Sequence, residues 1–512
     1  MLRQAPRASA PSALSPGHSV DGDAPHGPDH REAPYADAVA RIADAGVLRL
    51  SVPGHQGRAH RRPGLAEHLG DRVLDLDVAP LIDGVDSSGG SGAHARARAQ
   101  ELAADAWGAR TTWFLTGGAT QGNLTTALAL RSLGGEVVAQ RSVHSSVMDG
   151  MAIAGIEPAM VMPSVDVRRG MAHGVVPADL DAALVAHPDA AAAYVVTPSY
   201  FGAVSDVAAL AEVAHRHGVP LVVDEAWGAH FGFDASVPVN ALRLGADLVI
   251  SSTHKLAGSL GQSAMLHLGH GPWADVLEPL VERALRVTTS TSESSLLLAS
   301  LDLARRDLIV HGPRWIPDSV ADAEEFRARL RHGGRFSVAD PALLADPSVV
   351  SLDPLRIVVD TAHGGISGHE ARRLLFHENG VHAEMSTDSV VVLLVGAGSD
   401  LDVDRLAASF AALPSRDDDG FTALPPLPPP GDRVLGLRDA TLADSVVMSA
   451  RDAVGRVSAD SLAAYPPGVP NLLPGEIVTA EVVAFLQAAA SAPHGYVRGA
   501  CDPGVRTLRV VR

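Results

Sequence analysis

Short apolar runs alternate with helix-like stretches from about residue 91 onward, and this alternation limits the possible folds more than any other feature. The runs have the length of buried strands, and several helices between them have cap-like starts, such as Asp206 to His217 closed by Gly218. Strands and helices in alternation predict an α/β fold with a mostly parallel, doubly wound sheet of seven strands. The candidate strands are Thr112 to Thr116, Glu136 to Gln140, Ala159 to Met162, Ala192 to Thr197, Leu221 to Asp224, Asp247 to Ser251 and Ser263 to Leu268.

The chain divides around this sheet into four predicted parts. Residues 1–33 are rich in Pro, Ala, Ser, Gly and His without periodicity, so a disordered tail is expected. Residues 34–305 would form a major domain that ends with the helix Ser294 to Arg305. Residues 306–428 would form a smaller α+β domain, and residues 429–512 a C-terminal domain behind a proline-rich linker.

The composition excludes several classes of protein. The single cysteine, Cys501, rules out a disulfide framework within the chain and favours a reducing compartment. Because no apolar run approaches the roughly 18 residues that span a bilayer, a soluble cytoplasmic protein without a membrane partner is expected. A net charge of −18 argues against nucleic acid as a partner. The histidines are scattered without ligand spacing, so no metal site is predicted.

Lys255 is the only lysine among 512 residues. A lysine amine can lose its proton and condense with an aldehyde, whereas arginine stays protonated at any accessible pH. The apolar run Asp247 to Ser251 would place Lys255 just past the C-terminal end of a parallel strand, where open α/β sheets form their sites. Lys255 is therefore predicted to be a reacting amine, and a surface lysine left over in an arginine-biased composition is the alternative.

A glycine-rich turn, Gly117-Gly-Ala-Thr-Gln-Gly122, joins the first candidate strand to a helix at Asn123 to Arg131. Free N–H groups at the helix start, with the Thr120 hydroxyl, would make an anion cradle. No Gly-Lys-Ser/Thr follows, so the turn is not a Walker loop. On this pattern alone, phosphate binding and an ordinary turn both remain open.

Asp224 ends an apolar strand 31 residues before Lys255. A buried acid needs a cation or hydrogen-bond donors, so a helix cap or a structural salt bridge would also explain it. With Lys255 and the glycine-rich turn, however, Asp224 completes the set of anchors that pyridoxal phosphate needs: an amine, a carboxylate for the ring nitrogen and a phosphate cradle. His144 begins the helix after Glu136 to Gln140 and would stack on a flat cofactor, or serve only as a cap.

Six groups of residues, quoted below in chain order, resemble the Orn/Lys/Arg decarboxylase family of fold type I pyridoxal phosphate enzymes, in its short form. The resemblance covers the chain from about residue 34 to the end. The matching strings are Pro53-Gly-His-Gln-Gly57, Val223-Asp-Glu-Ala-Trp-Gly-Ala-His230, Ser252-Thr-His-Lys-Leu256, Gln262-Ser-Ala-Met-Leu-His267, Leu296-Leu-Leu-Ala-Ser-Leu-Asp302, and Tyr465-Pro-Pro-Gly-Val-Pro470 with Pro474-Gly-Glu476.

The resemblance implies a role for each matching position. Lys255 would bind the cofactor covalently, Asp224 would pair with the pyridinium nitrogen, and His144 would stack on the ring. It also implies a homodimer or a larger assembly with sites at the subunit interface. The residues that would hold the phosphate or line the site beside the lysine are Ala119, Thr120, Gln121, Ser252 and His254.

Two segments depart from the family pattern, Gly84 to Gly90 and Thr291 to Ser295. Both lie outside the cofactor anchors and could shape the substrate pocket. The acids expected to face a cationic substrate side chain are Asp83 and Asp86 in the first loop and Glu293 in the second altered segment.

The resulting expectation is a cytoplasmic, pyridoxal phosphate-dependent decarboxylase of a basic L-amino acid, namely arginine, lysine or ornithine, with arginine favoured. Two alternatives remain open on the sequence. The cofactor anchors would equally serve an aminotransferase or an aldol-type lyase, because these reactions differ only in which α-carbon bond breaks. A catalytically silent cofactor-binding homologue is the other alternative.

Overall fold

The computed structural model describes residues 28–79, 85, 93–415, 425–465, 467–492 and 495–512. A seven-stranded sheet forms its centre, in the order β1-β7-β6-β5-β4-β2-β3. The run from β6 to β3 is parallel, whereas β7 is antiparallel to both β6 and β1. The predicted mostly parallel sheet is therefore confirmed, with all seven predicted strands in it. The strands are β1 Thr111–Leu115, β2 Glu136–Gln140, β3 Glu157–Val161, β4 Ala193–Val196, β5 Leu221–Asp224, β6 Leu248–Ser251 and β7 Ala264–Leu268.

Helices cover both faces of this sheet because successive strand residues point to opposite sides. In β5, Val223 packs into the core on one face and Val222 into the core on the other. Helices of the first face are Pro34–Asp44, Ala93–Trp107, Pro177–Ala186 and Val207–Arg216. Helices of the second face are Gly118–Leu130, Ser145–Ala154 and Ala274–Thr288. The doubly wound arrangement follows from this two-sided burial.

A helix of 39 residues, Ser295–Gly333, leads from the central sheet to a second core. The sequence analysis ended it at Arg305, but the helix continues through Pro313 and Pro317. Its first part packs on the core of the central sheet through Leu298, Leu301, Leu308 and Ile316. Its last part packs on the second core through Ala323, Phe326 and Leu330.

The second core belongs to a four-stranded antiparallel sheet in the order β8-β9-β11-β10. Its strands are β8 Ser337–Val338, β9 Arg356–Asp360, β10 Met385–Ser386 and β11 Val390–Leu394. The helices Gly368–Asn379 and Val403–Ala411 contribute buried side chains to the same core. The α+β character expected for this part of the chain is therefore present.

The C-terminal part has a small core of its own around the helix Ala480–Ser491. Two small antiparallel sheets surround that helix, one pairing β12 with β16 and one in the order β14-β13-β15. Their strands are β12 Ser445–Ser449, β13 Leu462–Tyr465, β14 Pro470–Leu472, β15 Tyr496–Arg498 and β16 Thr507–Val511. The exact division of the chain into domains stays a prediction.

The described residues just before the first helix are held against the long helix. Arg305 donates hydrogen bonds to the backbone carbonyls of His30, at 2.9 Å, and Glu32, at 2.6 Å. The side chain of Ala33 is buried. The folded part of the chain thus begins before residue 34, while residues 1–27 of the predicted tail lie outside the described residues. Among the described helices, none has the length and apolar character that crossing a bilayer requires.

Candidate active site

A cavity of about 980 Å³ opens at the carboxyl ends of the central strands. Asp224 at the end of β5, His144 beyond β2 and Lys255 beyond β6 all line it. Residues of the second sheet and of the C-terminal part close its other sides, among them Ser386 and Arg498. The loops that follow parallel strands meet at one edge of a sheet, which explains why residues so distant in sequence come together.

Lys255 lies in the short helix Thr253–Leu256, which begins directly after β6 with Ser252 as its N-terminal flanking residue. Its Nζ lies 3.8 Å from the centroid of the Trp227 ring. Burial is the main cause that lowers the pKa of the amine from 10.5 to about 8, and the positive charge of Arg356 acts in the same direction. Asp224 and Glu384 oppose this shift. A far larger fraction of this amine is therefore neutral near pH 7 than for an exposed lysine.

The Asp224 carboxylate is buried and accepts two hydrogen bonds. Its Oδ2 accepts from Asn123 Nδ2 at 3.3 Å, and its Oδ1 accepts from the backbone N–H of Ala226 at 3.1 Å. Asn123 is itself oriented by the Tyr194 hydroxyl, which donates to Asn123 Oδ1 at 2.7 Å. Burial and the charge of Asp224 raise the pKa of Tyr194 well above its ordinary value, so this hydroxyl stays a donor.

His144 is joined to the same network through Ser146. Asn123 Nδ2 donates to Ser146 Oγ at 2.9 Å, and Ser146 Oγ lies 2.8 Å from His144 Nδ1. The Ser146 backbone N–H also donates to Nδ1, at 3.3 Å, so His144 is the N-cap of the helix Ser145–Ala154. Burial lowers the pKa of the imidazole, and with Nδ1 as acceptor the ring is held neutral. His144 therefore caps the helix and lines the cavity at the same time.

The glycine-rich turn forms one wall of the cavity through Ala119 and Thr120. Gly118 has φ +72°, and a Cβ there would come within 3.2 Å of the Gln262 carbonyl oxygen. Helix Gly118–Leu130 begins without a side-chain cap. Its N-terminal dipole and free N–H groups therefore favour an anion at this wall. Ser252 and His254 line the cavity nearby.

Two of the predicted site residues have side chains directed elsewhere. Gln121 accepts from the Gly117 backbone N–H at 2.9 Å and donates to Thr289 Oγ1 at 3.0 Å, and it is not part of the cavity lining. The Gln121 side chain therefore braces the turn, and a contact between Gln121 and a phosphate stays a prediction. Its position in the turn gave no information about side-chain direction.

Glu293 also lies outside the cavity lining. It is buried, forms an ion pair with Arg96 at 2.6 Å, and accepts a hydrogen bond from Thr116 Oγ1 at 3.1 Å. The Arg96 cation and the Thr116 hydroxyl thus already engage this carboxylate, and its contact with a substrate stays a prediction. Asp83 and Asp86 lie outside the described residues.

Several cavity residues were missed by the sequence analysis. Trp227 lies three residues after Asp224, inside a family-like string in which only Asp224 was given a role. Asn123 also lines the cavity, and Tyr194, which orients it, is a polar residue within an apolar strand that could have marked it. The C-terminal part contributes Tyr465 and Arg498, with Arg498 donating to Ser145 Oγ at 2.9 Å. No local pattern places these last two beside His144.

Solved structures of lysine decarboxylases have the same fold as this chain. The enzyme of Francisella novicida superposes with a TM-score of 0.78 at 17% identity, over 94% of this chain and 81% of that chain. The constitutive enzyme of E. coli gives a TM-score of 0.76 at 19% identity, over 94% and 82% of the two chains. At these low sequence identities, the superpositions show that the fold is shared and nothing more.

Sequence comparison extends the similarity to the family. An arginine decarboxylase of Bacillus subtilis is 30% identical over 500 residues, which cover 94% of this chain and 98% of the relative. The arginine decarboxylase of Halalkalibacterium halodurans is 31% identical over 491 residues, with coverage of 94% and 98%. The family model for the Orn/Lys/Arg decarboxylase major domain matches residues 33–400, and the model for the C-terminal domain matches residues 442–496. The chain therefore belongs to the Orn/Lys/Arg decarboxylase family.

Proposed function

We propose that this chain is a pyridoxal phosphate-dependent carboxy-lyase that converts a basic L-amino acid to the corresponding amine and carbon dioxide. The observation that carries the proposal is the presence of the Lys255 amine, the Asp224 carboxylate and the glycine-rich turn in one cavity. Arginine is the favoured substrate, since relatives at about 30% identity over nearly the whole chain are named arginine decarboxylase. Lysine and ornithine are the other basic candidates.

The donors in the cavity fit pyridoxal phosphate. Lys255 would hold its aldehyde carbon, because this amine has a pKa of about 8 and is partly neutral at physiological pH. The uncapped helix start at Gly118, with Thr120 and Ser252, would hold the phosphate. When bound, the cofactor supplies a conjugated ring that accepts the electrons left by the departing α-carboxylate.

Asp224 would face the ring nitrogen of the cofactor, and His144 would stack on a face of the ring. Among the described residues, Asp224 receives hydrogen bonds only from neutral donors, Asn123 and the Ala226 N–H, so its negative charge remains available to a protonated ring nitrogen. His144 is held neutral with Nδ1 engaged, so its ring face can stack without adding charge. These residues orient and polarise the cofactor, and Lys255 can carry a proton between the reacting groups.

Glu384 is the acid that we propose for the cationic end of the substrate, in place of Glu293. Its negative charge acts on Lys255, on Arg356 and on Tyr200, although Glu384 is not itself among the residues that line the cavity. Glu384 is exposed and immediately precedes Met385 and Ser386, which line the cavity. No described residue forms an ion pair with it. A carboxylate in this setting is suited to a guanidinium or an ammonium group.

A homodimer or larger assembly, with its sites at the subunit interface, and a cytoplasmic location belong to the same proposal. Support for the location is the free, exposed thiol of Cys501, the single cysteine of the chain, which fits a reducing compartment. Light scattering coupled to size-exclusion chromatography of the cofactor-loaded protein tests the assembly. A monomer at working concentration would contradict it.

Product analysis tests the function directly. The cofactor-loaded protein is incubated with arginine, lysine and ornithine, and with norleucine as an uncharged analogue of lysine. We expect carbon dioxide and the corresponding amine from one or more of the basic substrates, with arginine turned over best and norleucine barely. Keto acid as the main product would overturn the proposed reaction, and equal turnover of norleucine would overturn the basic substrate class.

A further inference from the structure

Two cationic side chains lie against the ring of Trp227. Lys255 Nζ is 3.8 Å from the ring centroid, and the guanidinium carbon of Arg356 is 4.3 Å from it. The indole is buried and lies three residues beyond Asp224, on the loop that leaves β5. Arg356 begins β9 of the second sheet, so this contact joins the two sheets at the cavity. The reacting amine therefore shares one aromatic ring with a second, permanent cation.

Arg356 is held in the protein interior with incomplete hydrogen bonding. Its side chain is among the largest fully buried ones, and within the described part of the chain its single engaged side-chain donor is Nη1, which donates to the Tyr200 carbonyl oxygen at 2.8 Å. Its Nε and Nη2 have no hydrogen-bond partner among the described residues. The nearby Asp353 is engaged by His230 at 3.1 Å and by the Leu355 N–H at 3.0 Å. An arginine in this state costs stability, because buried donors without partners are unfavourable.

We propose that Arg356 is a positioning residue for Lys255, fixing the Trp227 ring on which the amine lies and keeping a permanent positive charge close to that amine. A compact apolar side chain would fill the same interior space at a lower cost in desolvation. The presence of a charged Arg356 at this buried position is explained if its charge acts on the Lys255 amine. The inference relies on the proposed function only for the identity of Lys255 as the reacting amine.

The charges around Lys255 fix the direction of the effect. Asp224 and Glu384 favour the protonated amine, while Arg356 disfavours it. His144 and His254 also lie nearby, but burial lowers the pKa of both imidazoles, so they add little charge near pH 7. Burial itself is the largest influence on the amine. Of the charges that act on Lys255, that of Arg356 is permanent and positive. It therefore opposes the effect of the Asp224 and Glu384 carboxylates.

The unique lysine makes the amine directly measurable in the full-length, cofactor-free protein. Acetic anhydride acetylates unprotonated amines only, and Lys255 and the chain's α-amino group are the available amines. Mass spectrometry of the peptide containing Lys255, after brief labelling at a series of pH values, gives the titration of this amine. The wild-type midpoint is expected at about 8.

Two variants and a matched control test the role of Arg356. Arg356→Met removes the charge with similar volume, and Arg356→Gln removes it but keeps a donor for the Tyr200 carbonyl. Both should move the midpoint of Lys255 labelling upward by roughly half to one pH unit, which means about three- to tenfold slower labelling at pH 7. The control is Arg335→Met, because Arg335 also lies over a ring, that of Phe336 at 4.6 Å, without facing Lys255. Its midpoint should stay at the wild-type value.

Thermal unfolding is recorded for each variant, so that a folded protein is compared in every case. An unchanged midpoint in folded Arg356→Gln or Arg356→Met protein would overturn the inference, and so would an equal shift in Arg335→Met. The labelling needs neither cofactor nor substrate. Failure of the decarboxylation assay would therefore contradict the proposed function while leaving this result to stand alone.

Discussion

Arg141 and Glu476 form a bidentate ion pair, with Nη1 to Oε1 and Nη2 to Oε2 both at 2.7 Å and both side chains buried. Arg141 follows β2 directly and precedes His144 by three residues, whereas Glu476 belongs to the C-terminal part. Arg141 Nε also donates to the Pro470 carbonyl at 2.8 Å. The pair therefore fixes the C-terminal part against the loop that carries His144.

Removing Glu476 should weaken the fold strongly, because it leaves the Arg141 guanidinium buried without its counter-charge. We expect Glu476→Ala to lower the free energy of unfolding by about 3–5 kcal/mol in urea denaturation. Asp444→Ala is the matched control, since Asp444 pairs with Arg512 at 2.8 Å on the exposed surface. Its loss should stay below about 1 kcal/mol. Equal losses in the two variants would contradict the structural role of the buried pair.

Replacing Asp224 should damage the reaction more than the fold. Asp224→Ala leaves a pyridine nitrogen without a counter-charge, so we expect weak cofactor retention and a loss of several orders of magnitude in kcat. Thermal unfolding of the cofactor-free variant should stay near that of the wild type. Turnover close to the wild-type value would show that another acid serves the ring.

Reduction with borohydride should fix the cofactor at one place in the chain. Lys255 is the single lysine, and only the α-amino group competes with it. We expect mass spectrometry to find a pyridoxyl adduct on the peptide that contains Lys255, and the yellow colour to bleach. Lys255→Arg should bind the aldehyde at most reversibly, because guanidinium is too weak a nucleophile. An unmodified Lys255 in a fully loaded, reduced sample would remove the basis of the whole assignment.

The rate of covalent cofactor capture should depend on pH through Lys255. Only the unprotonated amine attacks the aldehyde, and the pKa of this amine is lowered from 10.5 to about 8. Capture by the cofactor-free protein should thus accelerate as the pH rises towards 8 and level off above it. Nα-acetyl-lysine, measured in parallel by absorbance, should keep accelerating to about pH 10. A protein profile that follows the model compound would refute the lowered pKa.

Neutralising Glu384 should weaken binding of a basic substrate. We expect Glu384→Gln to raise KM for arginine by roughly two- to fivefold, since an exposed charge partner contributes up to about 1 kcal/mol. Cofactor affinity should change little. Glu378→Gln on the exposed side of the helix Gly368–Asn379 is the control and should behave as the wild type. An unchanged KM in Glu384→Gln would contradict the role of Glu384 and leave Asp83 and Asp86 as the acids to test.

The strands were predictable because each is a short apolar run between polar or glycine-containing segments. The length of the helix that begins at Ser295 was not, because Pro313 and Pro317 resemble helix breakers in sequence. Neighbouring packing sustains the helix through both prolines, with Leu308 and Ile316 buried on either side of Pro313. Tertiary contacts thus overrode local propensity at this position.

Lys255, Asp224 and His144 were predictable because strand ends place residues at a common edge. Side-chain direction was not, and for this reason the sequence did not show that the side chains of Gln121 and Glu293 lie outside the cavity lining. Each has a polar partner distant in sequence, Thr289 for Gln121 and Arg96 for Glu293. Glu384 was missed because nothing near it in sequence marks an acid that faces Lys255.

The long helix Ser295–Gly333 belongs to two hydrophobic cores at once, through Leu298 and Leu301 at one end and Phe326 and Leu330 at the other. Loss of either core would remove packing that keeps the shared helix formed, and would thereby weaken the other core. The two sheets are therefore coupled in their unfolding, although sequence boundaries suggest independent domains. We therefore expect opening at the cavity to involve its loops, because the helix Ser295–Gly333 is continuous between the two sheets.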